Sequence, residues 1–572
     1  MAQYVLATQE NQRLERWIQN LLEQQNLTRT TAVSSMPPDR EKPGFVCGLD
    51  GHHAASHDLM QLWSSVGSIL KAADVFLESK YVTDAEDRPE LFVYTITGHQ
   101  DGQHEFGVSC SRSCSYPTGG FGSTSCLELS VNTIENHFTS YMERIYDLHP
   151  FLDAAELRRI FDGFIVRHHP NPGPSHLIGV HDESGNRWKY QGQHQRLCVT
   201  RERLPSDAMV FLILALGEIC AHTNPLPATE LDWEGGKFDL SAIPGLEYYG
   251  RAVEIIRSGL EGYELLYAQT FLLAGLYTAQ LLRAKESMNW FTRAGRILRS
   301  LIEEQKLSND EPWKMDGSLR KQFEESRKLV TNNSHRLTLL CAWSCRLLER
   351  ENCTKLPLPS SGLCQIEELL PIPQSRVEKH GLSPSPPTPT TDQDLHHARI
   401  LSFYVAQIFL ERQFTQVYNE LYGRKRFDWS PKGIREKVRI QEVLLQGWRD
   451  GIPSGLKWSN SDPPPSDILP ARLRARYWET RHLYNRPFLD YALHIMPHVK
   501  KGFSARDVAL DVNGRPREEA DIRTFEAIAL MSEDELWQGC RRCVEAARQR
   551  ITAFDGVLGR LIITNIHGAA HV

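Results

Sequence analysis

Leu265 to Leu282 reads LLYAQTFLLAGLYTAQLL, and this stretch decides the fold. Leu265, Leu266, Ala268, Phe271, Leu272, Leu273, Leu276, Ala279 and Leu282 fall on nearly every side of a 3.6-residue period, the pattern of a helix enclosed by neighbours. The interspersed polar residues make it too polar to span a membrane. Upstream, Tyr249, Ala252, Val253 and Ile256 occupy i, i+3, i+4 and i+7, one face of another helix, and Gly259 and Gly262 supply stop signals. Downstream, Trp290, Ala294, Ile297, Leu298 and Leu301 share a face, with Arg293, Arg296 and Arg299 opposite. The arginines read as a solvated surface rather than an anion site. Three such helices with short connections are expected to pack as antiparallel neighbours.

The same period recurs along the chain. Ile134, Phe138, Tyr141 and Ile145 form one face, and Asp153 with Glu156 resembles a capping box that starts the next helix. Ala208–Cys220, Arg336–Arg350, Ile400–Leu421, Leu473–Leu483 and Glu533–Ile551 are further helix candidates, while sustained strand alternation is scarce. The expected fold class is therefore all-α, a layered antiparallel helical array with an irregular N-terminal segment and Pro-rich linkers. Residues 1–27 carry Leu14, Trp17, Ile18, Leu21 and Leu22 on one face. This is either a dimerising coiled coil, although about two heptads fall short of the three or four usually sustained, or a helix docked on the main body. Residues 28–131 read as a partly irregular linker region. Residues 132–378 and 395–572 read as two parts of one helical domain. The Pro/Thr-rich linker at 379–394, which includes LSPSPPTPTTDQD from Leu382 to Asp394, separates them because it cannot build a packed core. Pro463 to Pro465 mark a loop.

Composition bounds the function. Hydrophobic residues make up 41% and charged residues 24%, the proportions of a folded globular chain. With 65 Lys+Arg against 71 Asp+Glu, a net of −6, the chain has no overall electrostatic pull toward nucleic acid. No signal peptide opens the sequence, and the richest apolar run, Met209–Leu216, is far below the roughly 20 residues a membrane span requires. The expectation is a soluble intracellular protein whose twelve cysteines are reduced.

None of the motif searches yields a catalytic residue, a cofactor-binding residue or a metal ligand. Cys540-x2-Cys543 and His567-x3-His571 have ligand-like local spacing, but the gap between the pairs is long and the cysteines sit in a helix. Cys110, Cys114 and Cys126 lie beside His104 in an irregular stretch, and Cys341 and Cys345 are one turn apart on an apolar helix, where core packing explains them. The pairs His52-His53, His168-His169 and His396-His397 lack an H-E-x-x-H context and read as surface histidines. No nucleophile elbow, dinucleotide turn or phosphate loop occurs, and carboxylate pairs reduce to caps and charged faces. The expectation is a non-enzyme. The cluster Gly423-Arg424-Lys425-Arg426 reads as a surface run at a helix end or a nuclear-import patch.

The segment Arg336 to Arg350, with Trp343, Glu349 and Arg350, followed by Leu358-Pro359-Ser-Ser-Gly362, resembles the R…W…(D/E)R helix and proline-glycine loop of the fungal-specific transcription factor domain, or middle homology region, of binuclear zinc-cluster regulators. Ala475 to Leu489, with Arg481 and Arg486-Pro487-Phe488-Leu489, resembles its second diagnostic stretch. Asn132 to Leu152, closing on H-P-F-L, and Gly245 to Leu301 are similar to its opening and central helices. Trp343 and Phe488 read as core residues.

The resemblance implies a nuclear regulator of RNA polymerase II genes, pathway-specific for metabolism or secondary metabolites, with co-regulators as partners and a homodimer as one state. Members carry six N-terminal cysteines that hold two zinc ions and place a helix in the major groove. Cys47 is the first cysteine here and no two C-x2-C pairs exist. No cofactor is therefore expected in this chain, zinc belonging only to a cysteine cluster lost or lying upstream, and DNA contacts fall to that cluster or a partner. The alternative reading is a helical-repeat adaptor, although no 34-residue self-similarity supports it. An enzyme of the helical terpene-processing kind would need acidic D-D-x-x-D motifs, which are absent.

Overall fold

A computed structural model of the chain describes residues 129–168, 205–222, 243–257, 264–281, 283–305, 333–353, 360–373, 392–421, 431–510, 516–517 and 519–557. Of these, 81% are helical and 1% strand, with no sheet, so the fold is all-α. The helix expected at Leu14–Leu22, the basic cluster at Gly423–Arg426 and most of both linker regions lie outside the described residues.

The order begins with α1 (Val131–Tyr141), which continues as a π-turn over Met142–Tyr146, then α2 (Ala154–His168), α3 (Pro205–Ala221), α4 (Leu246–Arg257), α5 (Leu265–Gln280) and α6 (Ala284–Glu304). Next come α7 (Asn333–Cys353), a 3-10 segment at Leu363–Leu369, α8 (Asp392–Leu421), α9 (Pro431–Gly451) and α10 (Ile468–Asp490), which runs into a second π-turn at Tyr491–Ile495. Short α11 (Met496–Val499) and α12 (Ala505–Val508) lead to α13 (Glu519–Ala529) and α14 (Glu533–Thr552). No described helix is long and apolar enough to cross a membrane.

Every residue of α5 from Ala268 to Gln280 is buried, as its all-round apolar sequence requires. α5 and α6 form an antiparallel hairpin in which the Ser287 hydroxyl donates to the Gly275 carbonyl at 2.9 Å. α4, expected beside α5, packs chiefly on α3, and reaches the hairpin through Tyr249, which stacks on Tyr277, donates its hydroxyl to Glu286 and accepts from Trp290 Nε1 at 2.9 Å. Not every neighbour is antiparallel. Arg336 meets His397, Ser344 meets Tyr404 and Arg350 meets Glu411, so α7 and α8 run in the same direction, which the long connection between them permits. α8 begins at Asp392, three residues inside the expected linker, because Pro389 is the last proline and nothing after it bars a helix.

Local chemistry sets several ends. Asp153 starts α2 by accepting from the Ala155 and Glu156 amides, each at 3.1 Å, while Glu156 pairs forward with Arg159. A full capping box opens α14: Ser532 Oγ accepts from the Glu535 amide at 3.3 Å and Glu535 returns to the Ser532 amide at 3.1 Å. α10, expected over Leu473–Leu483, starts earlier at Ile468 and continues through Pro487 of the Arg486-Pro487-Phe488-Leu489 motif to Asp490. Packing outweighs the missing proline N–H here, because Phe488 fills the space where a Cβ on Gly539 of α14 would lie. Four helices went unread, α9, α13 and the short α11 and α12. In α9 only Ile434, Leu445 and Trp448 supply buried apolar side chains, too sparse a pattern to stand out among its charges.

Two apolar clusters result. The larger runs from α1 to α10 and takes in Ala546 of α14, while a smaller one, around Phe488, Ile495, Ile522 and Phe525, holds the C-terminal helices.

Candidate functional site

Four side chains of α7, at 343, 346, 349 and 350, fall on one face by helical spacing, and each grips the segment that follows. Trp343 Nε1 donates to the Pro371 carbonyl at 2.8 Å, and Arg346 Nε donates to Glu367 at 2.7 Å. Glu349 accepts the Ser361 amide at 2.9 Å, and Arg350 pairs with the other oxygen of Glu367. Arg412 of α8 closes the clamp, donating to the Glu367 carbonyl at 3.1 Å while its guanidinium lies 4.8 Å over the Trp343 ring. Gly362 turns the loop with φ +90°, and Gly295 of α6 lets it lie close, since a Cβ there would meet Ser361 Oγ at 2.2 Å. The quoted R…W…E-R helix and its glycine loop are thus one mechanical unit.

The charges continue inward. Arg476 of α10, buried, joins three carboxylates: Glu351 of α7 at 2.6 Å, Glu479 at 2.5 Å and Glu411 of α8. Arg550 of α14 reaches Glu479 at 2.9 Å, and Arg350 approaches Glu411 at 3.9 Å. Arg350 is 2% exposed and Glu411 1%, so attraction acts here with little water to weaken it. Carboxylates that the sequence assigned to charged faces are in fact interior groups, because partners supplied by distant helices neutralise them.

Environment divides these acids. Burial raises Glu367, but Arg350 and Arg346 outweigh it and hold the carboxyl well below the usual range. Burial pushes Glu411 up in spite of Arg476 and Arg350. Glu349, 0% exposed, is pushed up to about 7 by burial, against the Ser361 hydrogen bond and Arg346. The folded protein therefore holds a proton on Glu349 that an unfolded chain releases near its ordinary value. Stability should fall as pH rises from about 4.5 to 7, by up to roughly 1.4 kcal/mol per pH unit from this one group. Glu349→Gln should flatten that slope in urea titrations at several pH values, and an unchanged slope would remove Glu349 as its source.

Cys540 and Cys543 are buried on α14, with Cys543 Sγ 3.4 Å from His482 Nδ1. Burial pushes the Cys543 thiol up to about 12 and His482 down to about 4, the reverse of an activated thiolate pair. Cys341 and Cys345 donate to the carbonyls of Phe151 and Phe291. Of the paired histidines, His396 is exposed beside Asp147 at 3.1 Å, while His397 and His168 are half-buried, against Arg336 and Phe164. Among the described residues, no three His, Cys, Asp or Glu side chains converge as a metal site requires. His567, His571, His104, Cys110, Cys114, Cys126, His52, His53 and His169 lie outside the described residues.

Trp343 and Phe488 are both buried. So is His149 of the H-P-F-L stretch, at 0% exposure, held neutral by burial and by nearby Arg472. The cluster's Glu411, Glu479, Glu367, Arg412 and Arg472 were not singled out from sequence. No family model, curated protein or solved structure matches the chain.

Proposed function

We propose that the chain is the helical regulatory region of a nuclear fungal transcription regulator acting on RNA polymerase II genes of one metabolic or secondary-metabolite pathway. It is not an enzyme in this reading, and DNA contacts come from a partner or from a zinc cluster outside these 572 residues. One observation carries the proposal. Glu351, which directly follows the first of the two stretches that bear the resemblance, pairs at 2.6 Å with Arg476 of the second, more than a hundred residues on, and Arg350 and Arg476 both reach Glu411. Residues quoted for likeness alone thereby become parts of a single ion network with the glycine loop clamped beside it. The net charge of −6 supports the partner requirement, because phosphate contacts supply most non-specific affinity for DNA.

Fused to a heterologous DNA-binding domain, the chain should change reporter output, and by itself it should shift no DNA probe at physiological salt. Direct, salt-sensitive binding by the isolated chain would refute the partner requirement. Cytosolic retention together with an inert fusion would favour a helical adaptor instead.

A further inference from the structure

α14 buries Leu536, Gly539, Cys540, Cys543 and Ala546 against the body and turns a second apolar row outward. Trp537, Val544 and Ile551 are 42%, 55% and 67% exposed. They stand seven residues apart, so they drift only about 20° per step and form a stripe about 21 Å long. Single exposed apolar residues are ordinary, but an aligned tryptophan, valine and isoleucine are the anchor pattern of a helix-in-groove or helix-pair contact. Leu530, in the turn just ahead of the N-cap Ser532, is exposed as well.

The charges beside the stripe identify what covers it. Arg541 lies between Trp537 and Val544, is exposed, and makes no ion pair among the described residues. Arg548 lies between Val544 and Ile551 and, among the described residues, forms its ion pair with Glu545 of its own helix. A second copy docked antiparallel about Val544 would bring Arg541 of one chain beside Arg548 of the other, like charges at an apolar seam. An acidic helix would instead give Arg541 a carboxylate partner and add one beside the Arg548–Glu545 pair.

We propose that the exposed face of α14 is a docking surface for an amphipathic helix of a partner protein, with apolar residues at heptad spacing flanked by Asp or Glu. The contact rests on Trp537, Val544 and Ile551 for burial and on Arg541 for charge selection. It is independent of whether the chain regulates transcription.

The test uses the full chain and two labelled synthetic helical peptides with identical leucine spacing, one flanked by Glu and the other by Lys, followed by fluorescence anisotropy. The Glu peptide should bind and weaken with added salt, and the Lys peptide should bind at least about tenfold less tightly. Trp537→Ala should weaken the Glu peptide about tenfold, and Arg541→Glu should reverse the preference between the peptides. Both positions are exposed, so the melting temperature should be unchanged, which separates a lost contact from a lost fold. Equal binding of the two peptides, or wild-type affinity in Arg541→Glu, would overturn the proposal. Self-association in sedimentation velocity that Trp537→Ala abolishes would overturn it in favour of a second copy.

Discussion

Arg476→Met is expected to destabilise the folded chain by about 3–5 kcal/mol, the range for removing one partner from a buried ion network. The reason is the number of acids it serves. Glu351, Glu411 and Glu479 all point at this guanidinium. Arg472 stands 3.8 Å from Glu351 and Arg550 2.9 Å from Glu479, so these two acids keep a cation. Glu411 is left with Arg350 at 3.9 Å, and it carries most of the penalty. Adding Glu411→Gln should therefore restore a large part of the loss, since neutral neighbours in a buried site do not need the charge. Urea unfolding followed by both tryptophan fluorescence and circular dichroism reads the effect. A loss below about 1 kcal/mol for Arg476→Met would show that water reaches the cluster and that it resembles surface pairs.

The helices and the network differ in how far they could be read. α5 was legible because its apolar residues surround the axis, and α6 because Trp290, Ile297 and Leu301 line one side. Periodicity is a local signal, and it failed for α9, whose buried positions are few. The ion network has no local signal at all. Arg476 and Glu351 are 125 residues apart, and Glu411 belongs to a third helix. On its own helix each of these charges looks like a solvated face. Only the glycine loop left a trace in sequence, because Gly362 and the side chains of α7 that hold it lie within twenty residues of one another. The parallel course of α7 and α8 was equally out of reach, since a long connection leaves direction open.

Close backbone approaches escape a sequence reading for the same reason, and they lead to the second large effect. Gly217 of α3 faces α1, where an added Cβ would stand 2.0 Å from the His137 carbonyl oxygen and 2.6 Å from its carbon. Backbone cannot yield as a side-chain tip can. α3 has no room to retreat, because Ala208 to Leu216 are buried on all sides and α4 and α5 also pack on it. Gly217→Ala gains about 1 kcal/mol of helix propensity but must force α1 and α3 apart, at a cost of about 3 kcal/mol or more. The variant should melt lower than the parent. Gly447 in α9 is the matched control, since a Cβ there meets nothing within 4 Å, and Gly447→Ala should keep the propensity gain and melt at or above the parent temperature. Parallel thermal scans decide the matter. If both variants melt alike, the α1–α3 contact is not the backbone-to-backbone seat described.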